Sequence, residues 1–433
     1  MTGIRLPRVL WPFAIGQFRI LVAALAISIL GTGMWLVGIV FQVRELGGGP
    51  IELSFVAAAN AIGLVVTVLF GGVAADRLPQ KFILVGVEVL KGAAVAVVGV
   101  LAITGVVEVW HLALVSFVLG VADGFFFPAY SALLPSVLPA DDLLAANGLE
   151  GVLRPAVMQA AGPVLASAII AVHSPALVFV VIAGSQVLAI LGLLLLRRTP
   201  VRRDLSESTP GVRGLLADVA GGFSYMVRTP WLLGTLLCST VLVLAVVGPM
   251  EVLIPFAVTD QTGGGPAEFA LVLAGFGIGG VVGSVLVASL PLPRRYLTIM
   301  LTLWGLGSLP LALMGITSQL WVMVAAAFAV GFTFQAATVI WGTLLQRRVP
   351  PALLGRVSSL DFFVSLAFMP ISMALAGPIG EAVGLAPTFL VAGIVPVFLT
   401  TAAIILARMP RDEIAHPLDA TPPADQEASS TSS

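Results

Sequence analysis

Residues 71–81 read Gly-Gly-Val-Ala-Ala-Asp-Arg-Leu-Pro-Gln-Lys and lie between two long apolar runs, roughly 53–75 and 82–104. An apolar run of about 18 residues or more crosses a hydrocarbon core of about 30 Å as a helix. Asp76, Arg77 and Lys81 are therefore expected on a tight turn at one membrane face. The small Gly72, four residues before the Asp-Arg pair, would let two helices approach closely while the charges cap their ends.

The rest of the chain agrees. It has 433 residues, 59% hydrophobic and 10% charged, with a mean hydropathy of +1.09. Soluble domains carry about 25% charged residues, so this composition describes a polytopic protein in a lipid bilayer. A net charge of −1 gives no reason to expect a nucleic-acid partner. The single cysteine, Cys238, lies in an apolar run and reads as packing. The N-terminus reads as a retained first span, not a removed signal peptide. The three histidines, His111, His173 and His416, form no ligand-spaced set. No Gly-x-x-x-x-Gly-Lys-Ser/Thr loop is present. The sequence therefore points to no enzyme, no metal and no cofactor.

Twelve spans can be counted: roughly 15–42, 53–75, 82–104, 111–134, 143–171, 176–196, 231–258, 267–290, 296–316, 320–345, 357–379 and 386–407. Without water in the bilayer core, each must be helical to satisfy its own backbone. The expected organisation is a six-helix bundle over 1–196, a cytoplasmic linker over 197–229, a second bundle over 230–407 and a disordered tail over 408–433. Within the linker, Leu215, Leu216, Val219, Phe223 and Met226 recur at helical spacing, as in an amphipathic surface helix. If 71–81 faces the cytoplasm, both termini do too. Of the 21 Lys and Arg, Arg44 then falls in an outer loop and Lys91 and Arg154 within spans. The other eighteen (21 − 3) lie at the cytoplasmic side, a strong positive-inside bias.

The two bundles look like copies. Gly47-Gly-Gly-Pro50-Ile-Glu52 recurs as Gly263-Gly-Gly-Pro266-Ala-Glu268, an offset of 266 − 50 = 216. Leu133-Leu134 through Pro139 is echoed by Leu344-Leu345 through Pro350, an offset of 211, and Gly162-Pro163 by Gly377-Pro378, an offset of 215. Six spans is an even number, so the copies share one orientation. Parallel halves about an axis along the membrane normal, with a site between them near mid-membrane, is a transporter architecture. The fold expected is thus an all-α membrane protein, twelve helices in two six-helix bundles with pseudo-two-fold symmetry.

Gly72, Asp76, Arg77 and Lys81 match the Gly-x-x-x-Asp-Arg-x-Gly-Arg-Lys/Arg loop of the major facilitator superfamily; Pro79 and Gln80 depart from it. Gly120-Val-Ala-Asp-Gly-Phe-Phe-Phe-Pro128, Ala145-Ala-Asn147, Leu344-Leu-Gln-Arg-Arg-Val-Pro350 and Gly355-Arg-Val-Ser358 resemble one branch. That branch holds bacterial exporters related to the enterobactin exporter and to macrolide, tetracycline and aminoglycoside efflux proteins. The resemblance implies secondary active export from the cell membrane, driven by inward proton flow. The branch often has an acid after Leu-Gly in its first span; here Leu30-Gly31 is followed by Thr32.

An ionisable side chain within a span is expensive and needs a reason. Glu88 and Lys91, three residues apart on one helix face, read either as a self-neutralising pair or, with Asp76 and Arg77, as a relay locking one side shut. Arg356 and Asp361 extend that set of lock candidates. Asp123 and Arg154 lie sixteen residues before and fifteen after Pro139, at equal depth on the two arms of a hairpin. They are expected to pair, either permanently or with Asp123 taking up a proton in one state. Gly248-Pro249 and Pro255 bracket Glu251, where a broken helix would free carbonyls. Glu251 is expected toward the outer end of its span, as an outer gate or a second proton site. Gly162-Pro163 partly matches the Gly-Pro kink of antiporters.

Trp35, Asn60, Phe125, Phe126, Gln159 and Gln335 are candidate cavity-lining groups. Their mixture suits an amphipathic small molecule. The expected partners are that substrate, protons and the lipid bilayer, with the chain working as a monomer. A facilitator or lipid flippase of the same fold, without proton coupling, is the alternative.

Overall fold

The computed structural model describes residues 8–139, 142–197 and 223–418. The side chains of Asp76 and Arg356 and most of the linker at 198–222 lie outside the described part, as do 419–433. Among the described residues, twelve helices are long and apolar enough to cross a membrane. We label them α1 (Gly16–Glu45), α2 (Pro50–Arg77), α3 (Gln80–Ile103), α4 (Val109–Val137), α5 (Leu149–Val172) and α6 (Pro175–Leu195) in the first half. The second half holds α7 (Pro230–Thr262), α8 (Pro266–Ser289), α9 (Tyr296–Met314), α10 (Leu320–Arg348), α11 (Leu360–Val383) and α12 (Leu385–Leu406). The helix carrying α5 begins earlier, at Leu143. The bundle's outer surface is apolar, with Phe70 63% and Leu406 82% exposed, as lipid-facing positions require.

The duplication is visible in local chemistry. Gly47 and Gly263 both adopt positive φ, +77° and +68°, which a side chain would oppose. Two residues on, Gly49 and Gly265 each donate their N–H to a glutamate carboxylate, Glu52 and Glu268, at 2.7 Å in both copies. Each thus starts a helix the same way: glycine, proline, then a carboxylate returning to the first free amide. The close helix pairs are duplicated too. A Cβ on Gly63 of α2 would lie 2.3 Å from a carbonyl of α4, and one on Gly279 of α8 would lie 2.1 Å from a carbonyl of α10. The offset is 279 − 63 = 216. Gly120 of α4 and Gly331 of α10 make the reciprocal contacts, with an offset of 331 − 120 = 211. In lipid, where burying apolar surface drives no helix association, such small-residue contacts hold helices together.

Three sequence expectations are corrected. Asp76, Arg77 and Lys81 are not on the turn itself: α2 runs to Arg77, α3 starts at Gln80 and only residues 78–79 turn. Close approach there uses Gly71, whose Cβ would lie 2.0 Å from the Gly124 carbonyl, whereas Gly72 has open space. The segment after 407 is ordered at first. Arg408 takes a left-handed φ of 51° and folds a short helix, α13 (Met409–Ala415), back on the second half. The acidic, proline-containing composition hid an amphipathic turn. Met409 is fully buried, and buried Glu413 accepts from Leu297 N–H (3.0 Å), Thr298 N–H (3.2 Å) and Thr298 Oγ1 (2.6 Å) at the start of α9. Asp412 pairs with Arg348 at the end of α10.

Candidate functional site

The two halves enclose a cavity of about 140 Å³. α1 supplies Thr32 and Trp35, α2 Asn60, α3 Lys91, α4 Asp123 and α6 Gln186; the second half supplies Glu251 of α7 and Met373 of α11. Lys91 is twelfth of 24 residues in α3 and Asp123 fifteenth of 29 in α4, so both lie at mid-helix.

The expected pairings are overturned. Lys91 Nζ donates to Asp123 Oδ1 at 2.5 Å and lies 5.2 Å from the Phe126 ring centre. Arg154 instead turns to Glu150, one turn back on its own helix, at 2.9 Å, and stacks over Phe127. Counting residues from Pro139 gives depth, and depth fixes only one coordinate. Arg154 lies on the face of its helix that meets Glu150 and Phe127, not Asp123, and the π-helical segment Pro155–Ala161 begins only after it. Glu88 does not hold Lys91. It is fully buried and accepts from Ser28 Oγ at 2.7 Å.

Glu251 is not a separate outer site. It lines the same cavity as Lys91 and Asp123 and also a second, apolar pocket with Met250, Phe269, Phe276 and Met314. Glu251 is residue 22 of the 33 in α7, and its place on the wall of that cavity, not its count along the helix, joins it to Lys91 and Asp123. The helix is not broken either. It passes through a π turn, Pro249–Leu253, with Glu251 at its middle. Pro249 has no N–H, and the neighbouring Gly248 N–H donates to Ser372 Oγ of α11 at 2.7 Å. Ser372 Oγ in turn donates to the Leu244 carbonyl at 2.8 Å. Ser372 thus bridges the N–H and the carbonyl at the two ends of one turn of α7.

Gly162-Pro163 directly follows the π segment of α5. Gly162 lies against Gly33 of α1, where a Cβ would come within 2.8 Å of backbone. Of the cavity candidates, Trp35 and Asn60 line the central cavity. Gln159 lines the apolar pocket and, with Gln335, a third pocket bounded by Glu150 and Arg154. Asn60 also donates to the Ser116 carbonyl at 3.1 Å, tying α2 to α4. Phe126 is packed under Lys91 and stacked on Tyr130, and Phe125 packs in the same core, away from the central cavity.

The lock candidates that are described act within one half. Lys81 Nζ donates to the Leu194 (2.7 Å) and Leu196 carbonyls, capping α6. Asp361 accepts from Trp341 Nε1 at 3.0 Å. Arg77 is exposed at the end of α2. Among the described residues, the side-chain hydrogen bonds and ion pairs between the halves lie at the other face, near the duplicated glycine loops. Gly377 N–H donates to Ser54 Oγ at 2.6 Å, Ile51 N–H to Glu381 at 3.3 Å, and Arg44 pairs with Asp260 at 3.8 Å and with Thr259. Sequence reasoning passed over Ser54, Ser372 and Glu381. The only nearby signal was Gly377-Pro378, where a missing donor and a missing side chain invite a neighbouring helix.

Two co-oriented bundles around a shared, charge-bearing cavity define a twelve-helix membrane transporter of the major facilitator fold. The family described as transmembrane secretion effector matches residues 8–429, and the chain belongs to it. The multidrug efflux pump Tap of Mycolicibacterium fortuitum is 29% identical over 406 residues, 90% of this chain and 95% of that one. Macrolide efflux protein A of Streptococcus pyogenes is 23% identical over 383 residues, 87% and 92% of the two chains. Among solved structures, the nucleoside transporter NupG superposes with a TM-score of 0.67 at 12% identity, covering 90% of this chain and 98% of that one. At that identity the likeness concerns the fold.

Proposed function

We propose that this chain is a plasma-membrane exporter of amphipathic small molecules, drugs or siderophore-like compounds, which works by alternating access and is driven by protons moving inward. The observation that carries this reading is the charge balance of the cavity. Lys91 is neutralised by Asp123, and Arg154 by Glu150. Glu251 is left facing the space between the halves, beside an apolar pocket. An acid next to a methionine- and phenylalanine-lined wall suits a molecule with a cationic head and an apolar body. The names of the efflux relatives agree with export.

In this reading the Arg77 face, both termini and the linker are cytoplasmic. The glycine-loop face is outer and is shut here by Ser54, Glu381 and Arg44. A separate pocket lined by Met158, Gln159, Phe276, Glu150 and Arg154 lies toward the Arg77 face. Substrate enters from that side, and the halves then rock about it.

Thr32, standing where the resembling branch carries an acid, favours the alternative of a facilitator or flippase without proton coupling. Transport of a cationic drug in proteoliposomes with an imposed pH gradient separates the two. Uphill transport that vanishes when the gradient is collapsed supports the exporter; transport that only equilibrates, with or without the gradient, supports the facilitator. Tags at both ends and in the linker, found on opposite sides of the membrane, would overturn the assigned orientation.

A further inference from the structure

Glu88 belongs to none of the roles above. Its carboxyl is wholly buried among α1, α3 and α4. One oxygen accepts from Ser28; the other, Oε2, has no hydrogen-bond partner among the described residues. It borders a small cavity of about 10 Å³, lined also by Ser28, Leu84, Phe126 and Tyr130. That is room for the centre of a single water. One turn along the same helix face, Lys91 carries the only ammonium in α3's buried middle, and it is committed to Asp123. A bare carboxylate left in such surroundings would be a buried charge without a direct ion pair, since the nearby Lys91 is bonded to Asp123. A neutral carboxylic acid fits, because its O–H can donate to a water in the small cavity.

We propose that Glu88 and Asp123 share Lys91, and that this sharing exchanges a proton for a cationic substrate. With the proton on Glu88, Lys91 lies on Asp123, the arrangement seen here. When the Glu88 O–H bond breaks, the proton leaves with water and the new carboxylate draws Lys91 back. The i,i+3 spacing allows this by side-chain rotation alone. Asp123 is then free on the cavity wall, opposite Glu251, and a substrate cation takes the place of the ammonium. One positive charge leaves as another arrives, so the cavity's balance is kept.

The other groups around the pair do not supply a competing cation. α1 presents Ser28 and α4 presents Tyr130 to Glu88. α2 and α6 present the neutral Asn60 and Gln186 to the cavity. Arg154 of α5 acts on Lys91 and Tyr130 at a distance and is held by Glu150. The proposal rests on the reading of the cavity as a cation-export site and gives that site its exchange step.

The test uses the intact protein in lipid nanodiscs, with tetraphenylphosphonium as the probe. Binding is measured in weak buffer with a pH-sensitive dye. The wild type is expected to release a proton for each cation bound, with affinity rising as pH rises. Glu88→Gln keeps the Ser28 bond and the fold, so its thermal unfolding should match the wild type. It should bind the probe about tenfold more weakly, a loss near 1.4 kcal/mol, with no proton release and no pH dependence. Asp123→Asn should also bind weakly and release no proton.

A second readout is infrared. The substrate-free wild type should show the carbonyl band of a protonated carboxyl, lost in Glu88→Gln and lost also in Asp123→Asn, where the freed Lys91 pairs with an ionised Glu88. Proton release by Glu88→Gln equal to that of the wild type, or absence of the band from the wild type, overturns the proposal. A wild type that binds the probe without releasing a proton overturns the exchange while leaving cation export standing. A wild type that binds no cation removes the export reading itself.

Discussion

Ser54 Oγ of α2 accepts the backbone N–H of Gly377 in α11 at 2.6 Å, so a side chain of one half satisfies the main chain of the other. A Cβ at residue 377 would lie 2.2 Å from the Pro50 carbonyl and 2.6 Å from Ser54 Oγ. Closure of this face therefore depends on residue 377 having no side chain. Alanine is the better helix former by about 1 kcal/mol, so Gly377→Ala should fold. It should hold the glycine-loop face apart. Transport should fall at least about tenfold, and a cysteine at buried Leu53, in a Cys238→Ser background, should become reactive to a membrane-impermeant maleimide. Unchanged labelling would count against the contact as a closure point.

Among the described residues, Glu251 is the cavity acid without a basic partner. Glu251→Gln should weaken binding of a cationic substrate by about tenfold, near 1.4 kcal/mol, and leave a neutral analogue of similar size unaffected. Equilibrium binding of the two compounds, measured side by side, checks this. Equal losses for both would mean that Glu251 shapes the pocket and does not read charge.

Ser372 ties α11 to the π turn of α7. Ser372→Ala would remove two buried hydrogen bonds, to the Gly248 N–H and the Leu244 carbonyl. The expected loss of stability is about 0.5–1.5 kcal/mol for each bond. Thermal unfolding of the purified protein measures it. Because the same turn carries Glu251, cation affinity should fall too. Stability lost with affinity intact would separate the turn from the site.

Glu413 ties α13 to the first turn of α9 through three hydrogen bonds. Glu413→Ala should release the short helix, exposing the chain after Arg408 to limited proteolysis and lowering stability by about 1–2 kcal/mol, in the range of a lost helix cap. Cleavage at the wild-type rate would show that Met409 and the Arg348–Asp412 pair suffice.

The twelve spans and the duplication were legible because bilayer thickness and missing water act on every residue of a span, and a long apolar run records that pressure directly. The mid-membrane charges were legible for the same reason. Lys91, Asp123, Arg154 and Glu251 stand out against leucine and valine. Their partners were not legible. Position along a helix gives depth, but facing depends on rotation about the helix axis, which counting residues from Pro139 does not give. Ser54 and Ser372 were invisible for a different reason. A serine in an apolar run has no pattern of its own, and its role appears only when a proline or glycine on another helix leaves a backbone group exposed to it.

The two Gly-Pro copies have diverged in use, and the divergence makes the molecule lopsided. Gly377 touches the opposite half through a directional hydrogen bond. Its counterpart Gly162 touches α1 of its own half, and the facing seam between α5 and α8 is a smooth contact of Gly277 on the Pro155 carbonyl and Gln159. Among the described residues no side-chain hydrogen bond crosses that second seam. A door built this way has its catch on one jamb and its pivot on the other, so the halves should part first along α2 and α11 while α5 and α8 slide.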